Sequence, residues 1–170
     1  LIRRAEATTA CQSMHIPPDQ AHFLDLPFYK TGEVRKHPIS PEDVAIVLKL
    51  MRDLKPHWIF VAGELSDPHG THRLCAEAIF KALRQLADDE RPEIVWLYRG
   101  AWQEWEPDLI DMAVPLSKTE LTDKIFAIFK HESQKDKALF PGPFDDREFW
   151  QRAEARNTDT AGIYNALGLP

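Results

Sequence analysis

Two imidazoles three residues apart, His69 and His72, stand in the stretch Asp67-Pro68-His69-Gly70-Thr71-His72-Arg73. Neutral imidazole is the commonest biological ligand for zinc, and three protein ligands with one open position make a catalytic centre. The flanks give the pair a place. Ahead of it, Trp58-Ile59-Phe60-Val61-Ala62 is a short apolar run that predicts a buried strand; behind it, Leu74, Ala78, Ile79, Ala82, Leu83 and Leu86 recur at helical spacing. A strand that ends where a helix begins marks the edge of an α/β sheet at which ligands bind. A second interpretation needs no metal: Asp67 caps the helix, Pro68 and Gly70 shape the turn, and both histidines are polar surface.

The elements that would position these residues follow from periodicity and punctuation. Leu1 to about Met14 predicts a helix, ended by His15-Ile16-Pro17-Pro18-Asp19, because consecutive prolines cannot continue one. Ala21–Leu26 predicts a strand and Pro27–Pro38 a loop. Ser40-Pro41-Glu42-Asp43 combines a capping Ser, Pro at the first helical position and acids in the first turn, so a helix runs from there to about Leu54. The strand at 57–62, the His loop and a helix at about 71–87 come next. A solvated turn at 88–92 and a strand over Glu93–Tyr98 follow. Residues 99–107 are irregular and aromatic-rich, Ile110–Leu116 predicts an edge strand, and Ser117-Lys118-Thr119-Glu120 opens a helix through about Ser133. Beyond Phe140-Pro141-Gly142-Pro143 the periodicity weakens into helical turns and loops. The expected division is therefore residues 1–140 as the main domain, with a tail at 141–170 packed on it.

Alternating helices and strands imply an α/β fold, a mostly parallel, Rossmann-like sheet with helices on both faces. Parallel strands bury both faces, consistent with the continuously apolar runs at 58–62 and 94–97. The first element is a helix, so by βαβ logic one or more preceding strands are expected to be missing from this stretch.

Composition excludes some functions. The chain has 170 residues and a net charge of −6, which argues against sequence-independent grip on nucleic acid or anionic lipid. No apolar run approaches the roughly 20 residues a membrane span requires. Cys11 and Cys75 have no zinc-binding spacing and are expected as reduced thiols in a cytoplasmic protein.

The motifs, taken together, resemble the later two-thirds of an LmbE/PIG-L-type zinc-dependent N-deacetylase domain. Arg3-Arg4-Ala5-Glu6-Ala7 is similar to that family's Arg-x-x-Glu-Ala helix, and His69-Gly70-Thr71-His72 to its His-x-x-His. Asp111 lies ahead of the last long helix, as a family Asp does. Lys124-x-x-Ala127-Ile128-x-x-His131-x-Ser133-Gln134 is similar to the family's Lys-x-x-Ala-x-x-x-His-x-Ser-Gln. The segments at 61–69 and 97–106 resemble, more narrowly, the domain C-terminal to a glucosamine-6-phosphate deaminase-like domain in two-domain proteins. The family's His-Pro-Asp-Asp segment, source of a His and an Asp for zinc and of a general base, has no counterpart here. His15-Ile16-Pro17-Pro18-Asp19 follows a helix and has the wrong spacing, so that segment is expected upstream of Leu1.

The resemblance implies zinc-dependent removal of an N-acyl group from an amino sugar or its phosphate. His72 would be the metal ligand, and His69 the catalytic imidazole that stabilises an oxyanion or protonates the leaving amine, although the two could exchange roles. Asp67 would fix a ligand's tautomer or cap the helix. Arg3 would reach a substrate hydroxyl or phosphate, or else be a solvated helix arginine. His131 would lie beneath the site, or serve mainly as a cation at a helix C-terminus. Tyr98, Trp102 and Trp105 would stack on a sugar or pack at an interface. His22, His37 and His57 are expected to be structural or surface. Zinc is expected to bind weakly or not at all to this stretch alone, which would then be inactive. The expected partners are the sugar substrate and an N-terminal deaminase-like domain of the same polypeptide, with a homo-oligomer left open. A different class of function also stands: a non-catalytic scaffold or regulatory domain of an amino-sugar-phosphate deaminase.

Overall fold

Local chemistry defines the best-anchored helix of the computed structural model, which describes residues 1–29, 36–63, 70–99, 104–134 and 146–168. Ser40 caps the helix that runs over Pro41–Leu54: its hydroxyl oxygen accepts the Asp43 N–H at 3.3 Å, and the Asp43 carboxylate accepts the Ser40 N–H at 2.8 Å. Lys55 ends the helix in the left-handed region at φ 46°. Asp43 is fully buried, which alone would raise its pKa. Hydrogen bonds from the Ser40 hydroxyl and from the Phe28 and Ser40 N–H groups outweigh burial and hold the carboxyl below its ordinary range. The Phe28 N–H donates to it over 2.9 Å, tying the preceding loop to the helix start.

In chain order the described elements are α1 (Ile2–Ser13), α2 (Pro41–Leu54), β1 (Trp58–Ala62), α3 (Thr71–Leu83), β2 (Ile94–Tyr98), α4 (Lys118–Phe129) and α5 (Phe149–Ala166), with short 3-10 turns at Pro18–Gln20, Asp88–Glu90 and Pro107–Leu109. They divide between two compact units. One is Leu24–Trp102; the other joins Leu1–Phe23 to Gln103–Pro170.

Leu24–Trp102 is an α/β unit. β1 and β2 pair in parallel, with Trp58 opposite Ile94, Phe60 opposite Trp96 and Ala62 opposite Tyr98. The core lies between α2 and α3: Val44, Val47 and Met51 pack with Ala78, Ala82 and Leu86, and Ile59 of β1 seals its edge. Ala78 and Ala82 are wholly buried, and side chains this small leave room for two helices to pack closely. The opposite sheet face is open. Trp58, Phe60 and Tyr98 are each more than half exposed, so the burial of both faces expected from the apolar strands does not hold within this unit.

The other unit is helical. α1 packs against α4, and α4 against α5, where Phe129 and Trp150 meet edge to face with ring centroids 6.1 Å apart. Three expectations change. Ala21–Leu26 is not a strand: no described strand runs beside it, and Asp25 takes φ 51°, which extended pairing does not allow. Ile110–Leu116 is also irregular, with Met112, Val114 and Leu116 exposed instead of paired. Within the tail, Phe149–Ala166 forms one continuous 18-residue helix, α5, where helical turns and loops were expected. Its apolar face is weak, and Ala153 is its only buried residue, so periodicity left little trace of it. No helix among the described residues is long and apolar enough to cross a membrane.

Candidate active site

His72 is the second residue of α3, in the unit Leu24–Trp102, and is half-buried. The sequence delivers it there through a short chain of causes. β1 ends at Ala62, the Gly63 N–H donates to the Tyr98 carbonyl at 2.7 Å, and α3 begins at Thr71 after Gly70. Gly70 is the N-cap, with φ 68° in the left-handed region and no side-chain cap. A Cβ there would be strained by the backbone alone and would approach Arg73 Nη2 at 3.4 Å, so glycine suits this position. His72 thus sits in the first turn of a helix that follows a parallel strand, as the spacing predicted. Asp67 and His69 lie outside the described residues, as does Trp102.

Among the described residues no group of three or more His, Cys, Asp or Glu side chains is placed to hold a metal ion. His72 is the one expected zinc-site residue that is described. A centre with three protein ligands would need donors beyond the described residues.

The other unit holds Arg3 and His131. Arg3 is exposed in the first turn of α1. α4 ends at Phe129, earlier than expected, and His131 lies two residues beyond it in a turn closed by the Gln134 N–H to the His131 carbonyl at 2.9 Å. No local motif shows what this turn meets. The Ser133 N–H donates to Glu6 Oε1 and the Ser133 hydroxyl to Glu6 Oε2, both at 2.7 Å. Those two hydrogen bonds, helped by the Gln134 side chain and the positive field of His131, hold the Glu6 carboxyl below its ordinary range. The Arg-x-x-Glu-Ala and His-x-Ser-Gln segments are thus joined in one constellation. Their residues are 127 apart, and nothing local announced the pairing.

The same unit holds a second polar group missed from the sequence. Lys124 of α4 donates to Asn157 Oδ1 of α5 at 2.6 Å, and Arg156 lies 3.9 Å from Glu104. Burial pushes the Lys124 ammonium below its ordinary pKa, Glu104 opposes that shift and Arg156 adds to it. Of the aromatic candidates, Tyr98 closes β2 with its ring exposed, and Trp105 is half-buried in the other unit.

Comparison with known proteins bears on the family alone. Residues 1–83, from α1 through α3, match the family model described as PIG-L, GlcNAc-PI de-N-acetylase. Along 99% of its length the chain is 53% identical to a protein of Bacteroides thetaiotaomicron named as glucosamine-6-phosphate deaminase-like, of which it spans 26%. No solved structure matches the chain. Residues 1–83 are therefore a stretch of PIG-L, or LmbE-like, de-N-acetylase domain.

Proposed function

We propose that the chain is part of a zinc-dependent de-N-acetylase-like hydrolase domain acting on an amino sugar or its phosphate. It would be carried in a cytoplasmic polypeptide that also bears a deaminase-like domain. The observation that supports this most is the position of His72, in the first turn of α3 behind the left-handed Gly70, within the segment that matches the family. In this reading His72 supplies one imidazole to the metal. Zinc, when bound, would acidify its water and polarise the amide carbonyl. His69 would donate a hydrogen bond or proton to the oxygen or the leaving nitrogen, and Asp67 would hold a ligand imidazole in one tautomer. Arg3 and His131 would bind the sugar's hydroxyl or phosphate oxygens. By itself the 170-residue chain would bind zinc weakly and would not turn over.

The same reading extends the fold. A parallel sheet whose described strands number two, with an exposed apolar face, is poorly protected, because parallel sheets are normally covered on both sides. Further strands beside β1 or β2, with a helix layer over Trp58, Phe60 and Tyr98, would complete a Rossmann-like sheet.

A non-catalytic scaffold is the second reading, and the open face favours it, since exposed aromatic residues suit docking. The test is acetate release from N-acetylglucosamine by the intact zinc-loaded protein, compared with His72→Ala. Hydrolysis lost together with bound zinc supports the hydrolase. Full zinc content and no hydrolysis in either protein would support the scaffold.

A further inference from the structure

The constellation between α1 and the turn after α4 has no assigned purpose, and its geometry is specific. One carboxylate, Glu6, uses both oxygens on one residue, taking the N–H and the O–H of Ser133 at 2.7 Å each. The turn it grips is already shaped from within, by the Gln134 N–H to the His131 carbonyl and the His131 N–H to the Ile128 carbonyl. The carboxylate therefore does not build the turn; it fixes where the turn sits on α1. Charge-assisted hydrogen bonds of this length are among the stronger polar contacts, and two on a rigid turn fix orientation as well as distance.

What the contact carries lies on either side of it. Arg3 is one helical turn ahead of Glu6, at the i, i+3 spacing that places two residues on one face of a helix. His131 is two residues ahead of Ser133, close enough for its charge to act on Glu6. We infer that Glu6 and Ser133 are positioning residues: their double hydrogen bond registers the turn bearing His131 against the first turns of α1, so that Arg3 and His131 bind one amino-sugar substrate together. The inference rests on the hydrolase reading for its substrate but not for its geometry. Neither Glu6 nor Ser133 is a catalytic residue in this account.

The test compares Glu6→Gln, Ser133→Ala and Ser133→Thr with Ser117→Ala in the intact zinc-loaded protein. Ser117→Ala removes the cap of α4 and leaves the Glu6–Ser133 contact alone. The readouts are kcat and KM for N-acetylglucosamine, together with amide exchange at residues 131–134 without substrate. Glu6→Gln and Ser133→Ala should raise KM about tenfold while kcat changes less, because a displaced binding pair weakens substrate hold before it alters the chemistry. Both should also speed exchange of the Ser133 amide. Ser133→Thr, which keeps both donors, should return KM to within about twofold of the parent. If Ser133→Ala shifts KM no more than a Ser117→Ala protein of equal thermal stability, or if Glu6→Gln leaves Ser133 exchange unchanged, the positioning role is wrong. A parent protein that neither binds nor hydrolyses the sugar overturns the hydrolase reading instead, a pattern the variants cannot imitate.

Discussion

The two units of this chain are held together by different physics. Leu24–Trp102 contains nearly every deeply buried apolar side chain among the described residues: Phe28, Val44, Val47, Met51, Val61, Ala76, Ala78, Ala82 and Leu86. Among the described residues of the other unit Ala153 alone reaches that depth, and the helices are joined by polar and aromatic contacts such as Glu6 with Ser133, Lys124 with Asn157 and Phe129 with Trp150. Apolar burial is non-directional and tolerant, whereas hydrogen bonds are short-ranged and need defined partners. The first unit therefore offers a rigid frame for His72. The second relies on a few directional contacts to hold Arg3 and His131.

The largest effect should come from the packed unit. Met51→Ala empties space between α2 and α3 and should cost roughly 2–5 kcal/mol in urea unfolding. A loss below about 0.5 kcal/mol, the size of an ordinary surface change, would mean that the α2–α3 core is not the unit's main support. Asp43→Ala comes next, at roughly 2–4 kcal/mol, because it removes half of a capping box and strands the buried Phe28 N–H. Ser117→Ala in the helical unit removes an exposed cap only and should cost about 1 kcal/mol. The smallest effect is expected from Arg52→Ala, whose exposed pair with Glu90 should leave the melting temperature nearly unchanged.

Acid distinguishes the units further. Glu6 and Asp43 both titrate below their ordinary values of 4.5 and 3.8, so their ionised forms stabilise the fold. That stabilisation is present above the ordinary values and is lost as pH falls through the folded ones. Carbon-detected NMR titration should show both carboxyls protonating late. Ser133→Ala should bring Glu6 back toward its ordinary range and leave Asp43 unmoved; equal shifts at both sites would mean that the acid response is global unfolding.

The contrast also explains what could be read from residues alone. α2 was readable because Ser40, Pro41 and Asp43 carry their capping chemistry within four positions. β1, α3 and β2 were readable because continuous apolar runs and helical spacing are local patterns. Ala21–Leu26 has the composition of a strand, but a strand exists only beside a partner, and Asp25 turns the chain away. α5 escaped because its ties to α4 are single contacts such as Lys124 with Asn157 and not an apolar stripe. At the site, the placement of His72 followed from strand, glycine and helix in sequence order. The Glu6–Ser133 contact did not, because no local rule links residues so far apart. What lies around Asp67 and His69 falls outside the described residues.

The most direct test is X-ray absorption at the zinc edge of the intact protein and its His72→Ala variant, at matched metal loading. The account predicts that the variant's spectrum loses one imidazole from the zinc coordination shell. An unchanged imidazole count would contradict it, because His72 would then lie at the head of α3 without touching the metal.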